Sequence, residues 1–198
     1  MASRKHVMYL TTGLLILSLL TPATYANARG KQEESRRAVA VLDSSVTILR
    51  DRDYLPALKD AFDKAKKEIT LSFYHFKIKD SQNSDPDIIL ASLIRASRRG
   101  VKVLVLLEQG RDPGEGNTQE NMQTLERLKK VGVTVYLDSP ATTTHTKMAV
   151  VDGKYTFVGS HNLTQSALRY NHEISVLIES PQVATEALNY IASLLPTL

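Results

Sequence analysis

Residues 144–162 read Thr144-His145-Thr146-Lys147-Met148-Ala149-Val150-Val151-Asp152-Gly153-Lys154-Tyr155-Thr156-Phe157-Val158-Gly159-Ser160-His161-Asn162. Asp152-Gly153 at the centre, flanked by β-forming residues, predicts a hairpin, because a two-residue type I′ turn needs the positive φ that Asp and Gly tolerate. With those two residues as the loop, Val151 faces Lys154, Lys147 faces Val158 and His145 faces Ser160. Alternate side chains of a strand share a face, so His145 and Lys147 point the same way and the cross-strand Ser160 joins them. One hairpin thereby gathers an imidazole, an ammonium and a hydroxyl, with the Asn162 amide next beyond.

Such a set suits an anionic tetrahedral centre, and a phosphodiester in particular. Lys147, Ser160 and Asn162 can hold and neutralise its oxygens while His145 attacks phosphorus or moves a proton. No carboxylate stands beside His145 at metal-ligand spacing, so these residues favour chemistry without a metal.

The pattern His145-x-Lys147-(x)4-Asp152-(x)6-Gly159-Ser160-x-Asn162 resembles the HKD signature of the phospholipase D superfamily. Asn171-His172-Glu173 follows, where that family places a carboxylate. From Val46 to the last helix the order of elements is similar to its small single-motif members, a bacterial periplasmic endonuclease among them. The resemblance implies a phospholipase D/nuclease-like fold, an α/β/α sandwich with a mixed sheet and one HKD motif per chain. It also implies a phosphohistidine mechanism without metal, with two copies of the motif at one site. Ser160 and Asn162 would bind the phosphate. Asp152 would be the signature's carboxylate, although its place in the turn reads equally as a simple turn former. Glu173 is the candidate to hydrogen-bond the far nitrogen of His145, fixing its tautomer and raising its basicity. His161 and His172 are assigned no role. His75, at the end of an early strand, is the one extra histidine that could reach the pocket, as a substrate contact.

The N-terminus has its own logic. Arg4-Lys5-His6, the apolar run Val7 to Leu20 and Ala23-Thr24-Tyr25-Ala26 have the order of a signal peptide with an A-x-A cleavage site, predicting export to the periplasm or beyond. The run is shorter than the ~20 residues of a membrane helix, and an uncleaved anchor through residues 7–20 is the alternative. Loss of residues 1–26 lowers the formal charge from +4 to +2, since Arg4 and Lys5 leave and no acid does. That is too mild to argue nucleic-acid binding by itself. There is no cysteine, so the fold must stand on its core, and thiol catalysis or Cys-ligated zinc is excluded.

Residues 27–38 read as a linker and 39–198 as one catalytic domain. Val39 to Leu42 and Val46 to Leu49 are β-prone runs. A helix from Tyr54 to about Lys67 and a strand from Ile69 to Ile78 follow, the latter with Leu71, Phe73 and His75 on one side. Asp80 to Pro86 is turn chemistry, with Asp85 as N-cap and Pro86 at the first helical position of a helix running to Arg99. Val101 to Leu107 is unbroken aliphatic sequence, as in a strand covered on both faces. The loop Glu108 to Gly116 matches no phosphate-cradling fingerprint, so no cofactor is expected. A third helix, Asn117 to Val131, and a strand, Val133 to Leu137, complete two strand–helix–strand passes and predict a partly parallel sheet. After the hairpin come a loop from Leu163 to Tyr170, a strand from Glu173 to Ile178 and a closing helix from Gln182 to Leu195. Three basic clusters sit at helix ends: Lys64, Lys66 and Lys67; Arg95, Arg98, Arg99 and Lys102; Arg127, Lys129 and Lys130. Solvated helix termini are their first reading and phosphate contacts their second.

One count decides the assembly. Displacement at phosphorus by an imidazole leaves an alkoxide that needs a proton, and a histidine already bonded to phosphorus cannot deliver it. The chain has a single H-x-K and no internal repeat. A homodimer with His145 of both copies across a two-fold axis supplies the second imidazole. Nucleic acid is the expected substrate, because the lone motif and compact chain resemble the periplasmic endonuclease. Phospholipid is the alternative, because the same chemistry serves a phosphatidyl group.

Overall fold

A computed structural model describes residues 44–79, 84–112, 114 and 116–196. The signal-peptide, linker and Val39–Leu42 readings, and the first residues of the Asp80–Pro86 turn, lie outside the described residues. The elements are β1 (Ser45–Arg50), a 3₁₀ turn (Asp51–Asp53), α1 (Tyr54–Lys64), β2 (Glu68–Phe73), α2 (Asp85–Arg98), β3 (Lys102–Leu107), α3 (Gly116–Lys129), β4 (Thr134–Leu137), β5 (Lys147–Val151), β6 (Tyr155–Gly159), α4 (Gln165–Arg169), β7 (Ile174–Glu179) and α5 (Pro181–Leu194).

The strands form one mixed sheet in the order β1-β7-β6-β5-β2-β3-β4. β2, β3 and β4 run parallel, joined through α2 and α3. All other pairings are antiparallel. Alternation along the strands splits the core in two. Leu71, Phe73, Val103, Val105, Leu107 and Phe157 pack with Leu58 and Phe62 of α1, Ile89 and Leu93 of α2, and Leu125 and Leu128 of α3. Leu106 and Val150 meet Ala184, Ala187 and Ile191 of α5 on the other face. That division is why β3 is aliphatic at every position but its first. Each fully buried Leu or Phe contributes roughly 1.5–3 kcal/mol, which is how the fold stands without crosslinks.

The hairpin departs from its expected register. Asp152 and Gly153 do take positive φ, 55° and 62°. The Lys154 N–H donates to Val151 O at 3.1 Å, closing the turn. Lys154, however, is a third loop residue, so Val151 pairs with Tyr155 and Met148 with Val158. The expected pairs of Lys147 with Val158 and His145 with Ser160 are displaced by one. In a ladder of period two, a slip of one exchanges faces. Counting on from Met148 and Val158 sets Lys147 level with Gly159, and His145 precedes β5 altogether.

Two local expectations also change. The N-cap of α2 is Ser84, whose side chain accepts from the Asp87 N–H. Asp85 is instead buried and takes the Arg169 guanidinium through two bonds of 2.8 Å, from Nε and Nη2. Within the expected loop Leu163–Tyr170, Thr164 caps the short helix α4 by accepting from the Ala167 N–H. The basic clusters lie where α1, α2 and α3 hand over to the starts of β2, β3 and β4. Several of their members are spent on the fold: Arg95 binds Asp63 at 2.8 Å, and Arg99 donates to the Phe62 carbonyl at 2.7 Å.

Candidate active site

The site lies at the opposite end of the sheet, where β2 ends and β5 begins, with Phe73 opposite Lys147. Backbone and side chain together fix the approach to β5. Tyr74 N–H donates to Thr146 O at 2.8 Å. The Ser72 and Thr146 hydroxyls are 2.6 Å apart. Thr144 N–H donates to the buried Glu108 carboxylate at 2.9 Å. These three anchors hold the segment that carries His145 and Lys147.

Lys147 faces inward and is only 8% exposed. Its ammonium donates to the His145 carbonyl at 2.9 Å and stands 4.9 Å from the centre of the Tyr74 ring. Burial pushes its pKa below the ordinary lysine value, and the nearby Glu173 carboxylate partly offsets that. That carbonyl is its one hydrogen-bond acceptor among the described residues, and an ammonium has three N–H donors, so donors remain that an anion can take. The His145 ring packs 4.5 Å from the Tyr74 ring at 57°. Burial, and then the Lys147 charge, hold its pKa below the usual histidine value, favouring the neutral, nucleophilic imidazole.

The second half of the site comes from the β6–β7 side. A Cβ at Gly159 would overlap the backbone of Ser175 and the Ile174 carbonyl, so only glycine lets β7 come this close. Ser160 N–H donates to Ile174 O at 3.0 Å, and Ile174 N–H donates to the Ser160 hydroxyl at 3.1 Å. The Ser160 hydroxyl in turn donates to the Glu173 carboxylate, which also accepts from Asn171 Nδ2 at 3.0 Å. Among the hydrogen bonds of the described residues, none joins Glu173 to His145. Its carboxylate is engaged by Ser160 and Asn171 on the β7 side, and its reach toward the β5 side is electrostatic, to Lys147. Asn162 is half-buried, and its amide oxygen has no hydrogen-bond partner among the described residues. The next residue fastens it to the β2 side, because Leu163 N–H donates to His75 O at 2.9 Å and Leu163 bridges to Phe76.

The other histidines are engaged elsewhere. His161 is fully buried, stacked 4.3 Å from Tyr54, and bonded through Nδ1 to Ser175 at 2.8 Å and Nε2 to the Asp51 carbonyl at 2.9 Å. Asp51 itself holds a positive φ of 46° and accepts from Glu173 N–H at 2.8 Å, so this knot locates the strand start that bears Glu173. His172 is bound to the Asp51 carboxylate at 3.2 Å. His75 spends Nε2 on Glu120 at 2.6 Å, and Lys77 pairs with the same carboxylate. Asp152 belongs to the far end of β5, roughly 17 Å from Lys147 at ~3.3 Å per strand residue. Its carboxylate accepts from the backbone N–H groups of Lys67 (2.8 Å), Lys66 (3.0 Å) and Glu68 (3.1 Å). Burial alone would raise its pKa; those N–H groups win and hold it below the usual carboxylate range. It anchors the turn at the end of β5 away from His145 and Lys147.

Three contributors escape a reading by apolar period. Tyr74 sits one residue past β2. Glu108 sits one past β3. Asn121 of α3 is buried, with Oδ1 accepting from Phe76 N–H at 2.8 Å and Nδ2 donating to the carbonyls of Tyr74 and Glu108, each at 2.9 Å. The one available signal was Thr118, Asn121 and Thr124 at helical spacing, a polar stripe that satisfies backbone groups left over where β2 and β3 end. Among the described residues no group of three or more histidines or carboxylates converges to hold a metal ion.

This geometry can be set beside known proteins. The phospholipase D of Rickettsia conorii is 29% identical over 127 residues, 64% of this chain and 56% of that protein. The phospholipase D of Rickettsia typhi is 33% identical over 97 residues, 49% of this chain and 45% of that protein. The matched stretch thus spans about half the length of these relatives. Among solved structures, Nuc from Salmonella typhimurium, a phospholipase D family member, superposes with a TM-score of 0.65 at 23% identity, covering 77% of this chain and 94% of that one. NucT from Helicobacter pylori does so with a TM-score of 0.60 at 20% identity, covering 77% and 96%. At these identities the superpositions establish the fold. The family model described as "Cardiolipin synthase, PLD-like domain" matches residues 58–195, which contain every site residue described above, and the chain therefore belongs to the phospholipase D-like domain family.

Proposed function

We propose that the protein is a phosphodiester hydrolase that works as a homodimer, with His145 as nucleophile and nucleic acid as substrate. The observation that carries this reading is the pairing of an imidazole, its pKa lowered by burial and by the Lys147 charge, with a buried ammonium two residues away, both against one aromatic ring. His145 forms a bond to phosphorus as the bond to the leaving oxygen breaks. Lys147, with the Asn162 amide and the Ser160 hydroxyl, takes up the charge on the other phosphate oxygens. The leaving alkoxide needs a proton, and water must later be deprotonated to release the phosphohistidine.

A second imidazole is required for both proton transfers. Among the described residues His75, His161 and His172 already bond to Glu120, Ser175 with Asp51, and Asp51. That engagement supports a second copy of His145, brought by a two-fold axis, as the source. Glu173 holds the Ser160 hydroxyl in place and offsets the cost of burying Lys147.

For the substrate, Tyr170 is 75% exposed in the loop that leads to Glu173 and offers a face on which a base can stack. The basic helix ends lie at the far end of the sheet, so the expected binding is short-range and only mildly salt-dependent. The second reading is a phospholipid. It is favoured by the Rickettsia relatives' name and by the exposed Ile174 beside the same loop, which gives the mouth an apolar element. The deciding experiment presents the protein, in EDTA, with plasmid DNA, single-stranded nucleic acid and phosphatidylcholine vesicles separately. Cleavage of nucleic acid alone upholds the first reading, choline release alone upholds the second, and silence in all three with folding verified overturns hydrolase function.

A further inference from the structure

We propose that Tyr74 is a positioning residue for the reaction, its ring clamping the His145 imidazole and the Lys147 ammonium in one working arrangement. The assignment rests on the hydrolase reading for its consequence in turnover, though its physical basis stands independently. Tyr74 is the residue that touches both groups through its side chain: 4.5 Å between ring centres to His145, and 4.9 Å from ring centre to the Lys147 ammonium. Its own backbone is held at both ends, the N–H on Thr146 O at 2.8 Å and the C=O on Asn121 Nδ2 at 2.9 Å. The ring is thus carried by a rigid strand end and a buried helix residue.

The two contacts do different things. A buried ammonium needs compensation, and among the described residues Lys147 has one hydrogen-bond acceptor, the His145 carbonyl at 2.9 Å. Beside the longer-range pull of Glu173, the electron-rich ring face adds an attraction in direct contact that consumes no donor, so N–H groups remain for a phosphate oxygen. Against His145 the ring is a wall that restricts imidazole rotation, which keeps the attacking nitrogen on line. Because the lysine's hydrogen bond goes to the histidine's own carbonyl, displacement of either group disturbs the other.

The test compares Tyr74→Leu and Tyr74→Phe in the full chain with bis(p-nitrophenyl) phosphate. Tyr74→Leu should lower kcat by roughly tenfold to thirtyfold, the size of one desolvated cation–π contact, with KM little changed. Its alkaline limb should move to lower pH, because the lysine loses an interaction that favours its charged form. Tyr74→Phe keeps the ring and should restore most of the lost turnover. NMR titration of the Lys147 ammonium provides a reading that needs no activity, with a lower pKa expected in Tyr74→Leu than in Tyr74→Phe. An unshifted Lys147 titration in Tyr74→Leu overturns the proposal, as does a Tyr74→Phe variant as slow as Tyr74→Leu. If the unsubstituted protein cleaves no diester, the hydrolase reading falls while the titration still decides the clamp. Tyr74→Met replaces Tyr74→Leu should the latter fail to fold.

Discussion

The two ends of β5 each carry a charged side chain, and the contrast between them separates structure from chemistry. At one end the Asp152 carboxylate is saturated by the N–H groups of Lys66, Lys67 and Glu68, and the turn it occupies is locked to the start of β2. At the other end the Lys147 ammonium is buried with, among the described residues, a single carbonyl acceptor and an aromatic face. A saturated charge stabilises the fold that provides its partners. An unsaturated buried charge costs stability, a cost that suits a site prepared for a ligand. On the proposed reading, the signature's histidine and lysine serve the reaction and its aspartate the scaffold.

The contrast can be broken most forcefully at His145. His145→Ala should abolish turnover while the melting temperature stays within a few degrees, as measured by diester hydrolysis beside calorimetry. Lys147→Met comes next. Loss of one preorganised donor should lower kcat by about 10²–10³-fold. The apolar replacement of a poorly paired ammonium should leave stability unchanged or raise it. A marked destabilisation by Lys147→Met would erase the distinction between the two ends.

Asp152→Asn should do the reverse. It should cost about 2 kcal/mol of stability, as charge-assisted hydrogen bonds to the backbone weaken, while kcat per folded molecule changes little. The pH dependence follows from the sign of the shift. The folded-state pKa of Asp152 is depressed, so its contribution is present above the ordinary carboxylate value and is lost as pH falls through the lower folded value. Denaturation across that acid range should show the gap between the two proteins closing.

Smaller effects sharpen the picture at the catalytic end. Glu173→Gln should slow turnover by about tenfold, through a less well held Ser160 and a less well balanced Lys147, and should shift the alkaline limb downward. In the unsubstituted protein the acid limb should lie below the ordinary histidine value, since neutral His145 is the attacking form and its pKa is depressed. An acid limb above that value would remove His145 from the nucleophile's place.

Much of this was legible along the chain. The Asp152-Gly153 turn and the aliphatic β3 depend on neighbours within a few residues and are found where periodicity and turn chemistry put them, while the first three helices end at Lys64, Arg98 and Lys129, a little short of the expected Lys67, Arg99 and Val131. The site was legible in part. His145 and Lys147 do meet, but Ser160 arrives by its bonds to Ile174 and Glu173, not by facing His145 across the hairpin. Two-residue and three-residue hairpin loops share the same Asp-Gly signal. The difference of one residue at Lys154 is visible only in the sheet, where Val151 pairs with Tyr155.

By itself, then, the sequence determined the element order, the mixed α/β architecture and the family, because these follow from short-range patterning and from typed residues at fixed spacing. Only the tertiary structure decided which charges are satisfied. It gave Asp152 its backbone donors from a segment more than eighty residues earlier, left Lys147 with one acceptor among the described residues, and brought Tyr74 across from the end of β2 to touch both His145 and Lys147. Hydrogen bonding and desolvation depend on what surrounds an atom in space, and residues distant in the chain supply those surroundings.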